Sequence, residues 1–164
     1  MTIAYRPADL SQAPENAERR FIVDAWCRSY QFAHAAGMIA VEDWFAVMIP
    51  QVDKLLARPD VRTIVAHAPD DVDRIADLYG FITVDTAARP PIVFYVFVKE
   101  PYRRNGVARG LFGAAGVDPK LPFVYACTTG IVSKIVYSRK IPLAKWDPLV
   151  ARFGKHDTRP RRSR

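Results

Sequence analysis

Apolar side chains in the first third of the chain repeat with the period of an α-helix. After a short extended segment, residues 3–6, a helical pattern runs from about 14 to 37, with acidic residues at its start and a glycine at its end. A second helical pattern covers residues 41–58. Pro50 lies inside it and is expected to break or kink the helix, because proline lacks the backbone donor and crowds the preceding turn. The sequence therefore predicts one short strand and two helices.

The period then changes to two, which is typical of strands. Residues 61–68 and 75–83 alternate in this way, and the Pro-Asp-Asp turn between them predicts a hairpin. The next run, residues 92–98, is apolar at every position. A strand that is apolar on both faces is expected at the centre of a sheet, covered on each side.

The remaining pattern is mixed. A helix is predicted from residue 107 and a strand over 123–128, while 131–140 fits a helix or a strand. Two prolines make 141–153 irregular, and this stretch is expected either to cover the sheet or to pair with a second copy of the chain as a homodimer. Helices and strands in this order predict an α/β or α+β domain built on one sheet.

Composition is that of one globular domain. The chain has 164 residues, of which 50% are hydrophobic and 12% aromatic, enough for a single sizeable core over residues 1–153. No apolar run approaches the ~20 residues that a membrane helix needs, and no signal sequence is visible. The two cysteines suit neither a disulfide framework nor a metal site. A reduced, cytoplasmic protein without a metal is the expectation.

Positive charge is concentrated at the C-terminus. The formal net charge is +7, and the last ten residues carry five basic side chains and one acidic one, which is +4 of that total. Residues 154–164 are therefore interpreted as a flexible basic tail. Either it is a solvated end, or it contacts nucleic acid, and the rest of the domain gives no reason to expect a nucleic-acid partner.

A basic turn after the buried strand carries the clearest chemistry. The strand is followed by a short basic segment with Arg103 and Arg104, and then by Gly106 at the start of the next helix. Arg109, in the first turn of that helix, adds a third positive charge. Backbone N–H groups at a helix start have no partner within the helix, and the helix dipole is positive there. The segment is expected to bind an anion such as a phosphate group.

The pattern Arg103-x-x-Gly106-x-Ala108 resembles motif A of the GCN5-related N-acetyltransferases, the GNAT superfamily. The resemblance covers roughly residues 92–112, and the order of elements before it is similar to that of the family. Residues 77–82, with the pair Gly80-Phe81, are similar to the family's third strand, where a Gly-Phe or Gly-Tyr pair is common. Set between a buried strand and a helix, the motif is moderately specific.

This resemblance implies a mixed, mostly antiparallel central sheet flanked by helices. The strand 92–98 and the strand 123–128 would splay apart, and the pantetheine of acetyl-coenzyme A would lie in the wedge between them. The chain would transfer the acyl group from the thioester to a neutral amine of unknown identity. The residues expected to bind the coenzyme are Val96, Phe97, Val98, Arg103, Arg104, Asn105, Gly106, Val107, Ala108 and Arg109.

Two residues are candidates for proton transfer. By resemblance, Tyr137 is the candidate general acid. The strand 92–98 has no carboxylate where many members of the family carry a glutamate, so Glu100, which follows it, is a weak candidate for the base. Asp85, Glu42 and Asp43 are alternative carboxylates for this role. A second hypothesis therefore stays open: a catalytically inactive GNAT-like module that binds coenzyme A or another protein.

Overall fold

The computed structural model describes residues 2–11, 13, 16–33, 40–69, 77–126 and 144–146. Within these ranges the elements are β1 (Ala4–Pro7), α1 (Ala17–Ala33), α2 (Val41–Leu56), β2 (Arg62–His67), β3 (Leu78–Asp85), β4 (Ile92–Val98), a 3₁₀ turn (Glu100–Tyr102), α3 (Val107–Ala114), β5 (Phe123–Tyr125) and β6 (Ala144–Trp146). None of the helices in these ranges is both long and apolar enough to cross a membrane.

The described strands form one sheet in the order in which they occur along the chain. β1 to β4 pair antiparallel, whereas β5 pairs parallel with β4 and β6 pairs parallel with β5. The predicted mixed, mostly antiparallel sheet flanked by helices is confirmed. The expectation of irregular structure over 141–153 is wrong for residues 144–146. The prolines at 142 and 148 lie outside this segment, so its amides remain able to pair with β5.

The two predicted helices are present, and α2 differs from expectation at its proline. Asn16 precedes α1 and accepts a hydrogen bond from the Arg19 amide at 2.9 Å, which caps the helix start. α2 continues through Pro50, so of the break or kink expected at this proline, the break is wrong. Residues on the C-terminal side of the proline, Val52 and Leu55 among them, are buried in the core, and this packing favours continuation of the helix.

The sheet has a separate apolar core on each face. α1 and α2 cover one face, where Trp26 stacks on Tyr95 with ring centroids 4.8 Å apart. α3 covers the other face through Val107 and Leu111, both almost fully buried. The middle strands are consequently buried on both sides, as the unbroken apolar run of β4 predicts.

The predicted hairpin between β2 and β3 is present, with β3 placed two to three residues later than expected. Its turn lies partly outside the described residues. Gly80 in β3 lies directly against the backbone of β4, since a Cβ at this position would be 2.3 Å from the Phe97 carbonyl oxygen. The glycine thus allows the end of β4 to approach β3 closely.

Candidate functional site

The two parallel strands β4 and β5 are paired at one end only. Their ladder joins Ile92 and Val93 to β5, and its last described hydrogen bond runs from the Ala126 amide to the Val93 carbonyl at 3.0 Å. β4 continues to Val98 beside β3. Among the described residues, the second half of β4 therefore has no ladder partner on the side that faces β5. We call the space on this side of β4 the wedge.

An extra residue in β4 changes which backbone groups face the wedge. Tyr95 lies opposite Thr83 and Val93 lies opposite Val84, so Phe94 is left without a partner on β3. This is a β-bulge, in which two residues of one strand oppose one residue of the other. Because backbone groups alternate in direction along a strand, the bulge reverses the alternation in the second half of β4.

The reversed alternation directs the backbone N–H and C=O groups of Val96 and Val98 towards the wedge. The Lys99 amide donates to the Tyr79 carbonyl at 2.9 Å, so the backbone groups of Lys99 and, two residues earlier, Phe97 face β3. Those of Val96 and Val98 point the other way. The side chains of β4 also change from buried to half-buried at Val96. The wedge is thus lined by backbone donors and acceptors that no described strand pairs with.

The chain after β4 bends twice before α3 begins. Arg104 has φ of 69° and Gly106 has φ of 81°, both in the left-handed region, and the intervening Asn105 does not. Alternation of this kind turns successive amide N–H groups towards one side and forms an anion-binding concavity. A Cβ at Gly106 would meet no atom within 4 Å. Gly106 is therefore required by its backbone conformation rather than by a crowded neighbour.

α3 begins without a capping side chain. The first hydrogen bond of the helix is donated by the Gly110 amide to the Gly106 carbonyl at 3.0 Å. The amides of Val107, Ala108 and Arg109 precede it and have no partner within the helix. Together with the concavity before it, this helix start presents a continuous set of N–H donors with a positive local field, which suits a phosphate or pyrophosphate group.

Cationic side chains surround this loop. Arg103, Arg104 and Arg109 are all exposed, and Arg103 turns back so that its Nε donates to the Val98 carbonyl at 3.1 Å. The ring of Tyr102 packs on Tyr79 with centroids 4.2 Å apart, which fixes the 3₁₀ turn to the sheet. The loop combines a positive charge with a defined attachment to the end of β4.

The side chain of Lys99 lies on the face of the sheet that α1 covers, opposite the face that α3 covers. Its Nζ is 4.9 Å from the centre of the Phe21 ring. Partial burial lowers the pKa of Lys99, and the nearby carboxylate of Asp77 acts in the other direction. The lysine therefore extends the positive charge of the loop onto the α1 side of β4.

The candidate proton-transfer groups are not brought together in the described residues. Glu100 is exposed in the 3₁₀ turn. Asp85 is buried at the far end of β3 and accepts hydrogen bonds from the amides of Ala87 and Ala88, so it shapes the following turn. Glu42 and Asp43 are exposed in the first turn of α2. Tyr137, like the last two residues of the predicted strand 123–128, lies outside the described residues.

Sequence reasoning missed two structural features near the residues predicted to bind the coenzyme. One is the bulge at Phe94, for which the uniformly apolar run gives no signal. The other is the hydrogen bond from Arg103 to Val98, which depends on the path of the loop. All ten predicted coenzyme-binding residues lie on the second half of β4, in the loop or in the first turn of α3.

Comparison with solved structures identifies the fold. No protein-family model matches the sequence, and no curated protein matches it either. A putative acetyltransferase from Pyrococcus furiosus has a similar structure, with a TM-score of 0.55, 14% identity, and 85% of this chain and 91% of that chain covered. Two further similar structures have TM-scores of 0.48. One is the PaiA N-acetyltransferase of Thermoplasma acidophilum in complex with coenzyme A, 17% identical over 71% of this chain and 70% of that one. The other is an aminoglycoside 6'-N-acetyltransferase of Acinetobacter baumannii, which is 12% identical, with 97% of this chain and 94% of that chain covered.

Proposed function

Because the chain has a GNAT-like acetyltransferase fold, we propose that it is an acyl-coenzyme A dependent N-acyltransferase, with acetyl-coenzyme A as donor and an amine as acceptor. One observation carries the proposal. Backbone groups of β4 that no described strand pairs with and the uncapped start of α3 lie in series, joined by the 3₁₀ turn and the four residues 103–106. A thioester-bearing arm attached to a pyrophosphate has the matching arrangement of polar groups.

The residues present fit the coenzyme. The amides of Arg104 to Ala108 would hold the pyrophosphate, since they are directed into the loop or lack helical partners. The backbone groups of Val96 and Val98 would form hydrogen bonds with the pantetheine, in place of the ladder that the described part of β5 makes only with Ile92 and Val93. When bound, acetyl-coenzyme A supplies the acyl group in activated form, as a thioester.

The chain would contribute positioning, polarisation and proton transfer. An amide of β4 facing the wedge, such as that of Val96, would donate to the thioester carbonyl and stabilise the negative charge that develops there. The acceptor must attack as a neutral amine, so a base has to remove its proton, and the departing thiolate has to gain one. Glu100 and Tyr137 remain the predicted base and acid. The missing carboxylate on β4 keeps the inactive coenzyme-binding module as the second candidate.

Binding of acetyl-coenzyme A to the purified protein tests the proposal, with a carboxylate placed at the anion site as the decisive variant. Ala108 is exposed in the first turn of α3. Ala108→Glu would compete with the pyrophosphate for the free amides, yet an acid at a helix start does not destabilise the helix. Ala114→Glu is the matched control, because it adds the same charge to an exposed position at the other end of α3.

Calorimetry should show micromolar binding by the wild type and by Ala114→Glu, and loss of binding in a fully folded Ala108→Glu protein. Folded wild-type protein that does not bind would refute the coenzyme site. If binding is present, an amine screen that follows thiol release distinguishes the two candidates. Turnover identifies an enzyme, and a lower kcat in Tyr137→Phe with unchanged coenzyme affinity would support the acid assignment. Binding without turnover of any amine would favour the inactive module.

A further inference from the structure

One of the two carbonyls that face the wedge is already engaged by a side chain. Arg103 donates its Nε–H to the Val98 carbonyl at 3.1 Å. The sheet leaves this carbonyl pointing away from β3, as the alternation along β4 requires. The hydrogen bond lies at an exposed position, so both partners are accessible to a ligand that enters the wedge from the loop.

A guanidinium group has a stronger partner available in this loop. Arginine binds phosphate through charge-assisted, often bidentate hydrogen bonds, which are roughly twice as strong as a bond to a neutral carbonyl. Arg103 directly precedes the anion-binding residues Arg104 to Gly106. A pyrophosphate held there would compete with the Val98 carbonyl for the Arg103 side chain.

We infer that Arg103 is an exchangeable clasp between the two halves of the coenzyme site: its side chain occupies the Val98 carbonyl in the free protein and transfers to the pyrophosphate on binding. The released carbonyl then accepts a hydrogen bond from a pantetheine amide. This inference rests on the proposed function. It makes Arg103 a positioning residue, through which binding of the phosphate end prepares the strand for the thioester arm.

Coupling between two coenzyme fragments measures the exchange. ADP carries the pyrophosphate without the arm, and S-acetylpantetheine carries the arm without phosphate. In the wild type, saturating ADP should tighten binding of S-acetylpantetheine by roughly fivefold, and by linkage the reverse effect should have the same size. In the absence of ADP, S-acetylpantetheine should bind to Arg103→Met more tightly than to the wild type. Addition of ADP should no longer change the affinity of Arg103→Met for S-acetylpantetheine.

Arg109→Gln is the matched control. It removes a positive charge from the same loop region, at an exposed position without a described contact to β4. It should weaken binding of ADP and preserve the coupling. Absence of coupling in the wild type, or coupling that persists in Arg103→Met, would overturn the clasp.

A direct observation of the side chain uses the intact ligand. In protein labelled with ¹⁵N at arginine Nε, the Arg103 signal is identified by its absence from Arg103→Lys. Addition of acetyl-coenzyme A or ADP should shift this signal, whereas S-acetylpantetheine alone should shift it less. If amide signals of residues 104–108 respond to acetyl-coenzyme A and the Arg103 Nε signal does not, the clasp is wrong and the coenzyme site stands. If neither responds, the proposed function itself is wrong.

Discussion

Gly80→Ala tests how closely β3 and β4 are packed at the end of the sheet that carries the site. The added Cβ would lie 2.3 Å from the Phe97 carbonyl oxygen and 3.0 Å from the Val98 Cα. Both contacts are with backbone atoms, which cannot rotate away as a flexible side chain would. The end of β4 must therefore move, and with it the backbone groups that face the wedge.

The expected change in the free energy of unfolding combines two destabilising contributions and one stabilising contribution. Overpacking of a well-packed interior costs about 1–3 kcal/mol, and a weakened ladder hydrogen bond adds about 1 kcal/mol. Replacing glycine by alanine within a strand recovers about 0.5–1 kcal/mol through the unfolded chain. We expect the free energy of unfolding to fall by about 2 kcal/mol, which lowers the Tm of a domain of this size by roughly 4–8 °C.

Urea unfolding followed by tryptophan fluorescence gives the stability, and calorimetry gives acetyl-coenzyme A affinity, which should fall by about tenfold because Val98 is displaced. Gly113→Ala is the control. Gly113 is an exposed residue of α3 where a Cβ meets no atom within 4 Å, so alanine should stabilise the protein by about 0.5 kcal/mol. A Gly80→Ala protein as stable as the wild type would refute the close packing of the two strands.

Two further expectations concern ionisable groups. Burial, and secondarily the carboxylates of Asp24 and Asp53, raise the pKa of the Cys27 thiol to about 11. In a Cys127→Ser background, a disulfide reagent at pH 8 should therefore modify Cys27 only at a rate limited by unfolding. Rapid modification of the folded protein would contradict the burial of Cys27. The hydrogen bond from Arg58 lowers the pKa of Asp60. The pair therefore stabilises the fold above the ordinary aspartate range and loses this effect as the pH falls through the lowered pKa. Urea unfolding of Asp60→Asn should show a deficit below about 1 kcal/mol at pH 7 that decreases progressively as the pH falls below the ordinary aspartate range; a deficit that does not change with pH would exclude the charge effect.

The predictable part of the fold is the part governed by periodicity. β4 has the predicted bounds, residues 92–98, because a strand buried on both faces must be apolar throughout. The start of α3 at residue 107, after β4 and the basic turn, was also predictable from the local pattern, and anion binding there stays a prediction.

Features that depend on pairing between distant segments were not predictable. The bulge at Phe94 exists only because the registers of β3 and β4 differ by one residue on its two sides, and an unbroken apolar run carries no mark of register. β6 was missed because its assignment depends on an available edge of β5. The continuation of α2 through Pro50 likewise reflects tertiary packing, which outweighs a local preference.

Three departures from local rules lie together at the end of the sheet where β4 passes into α3. A non-glycine residue, Arg104, adopts a left-handed conformation, which costs an L-residue about 1–2 kcal/mol. α3 begins without a cap, and β4 ends with backbone groups turned away from its partner. Each feature reduces stability, and all three present hydrogen-bond donors or acceptors to the same space. Local rules are broken together where a ligand supplies the missing partners, so bound coenzyme should raise the Tm of the wild type, and Ala108→Glu should remove that increase.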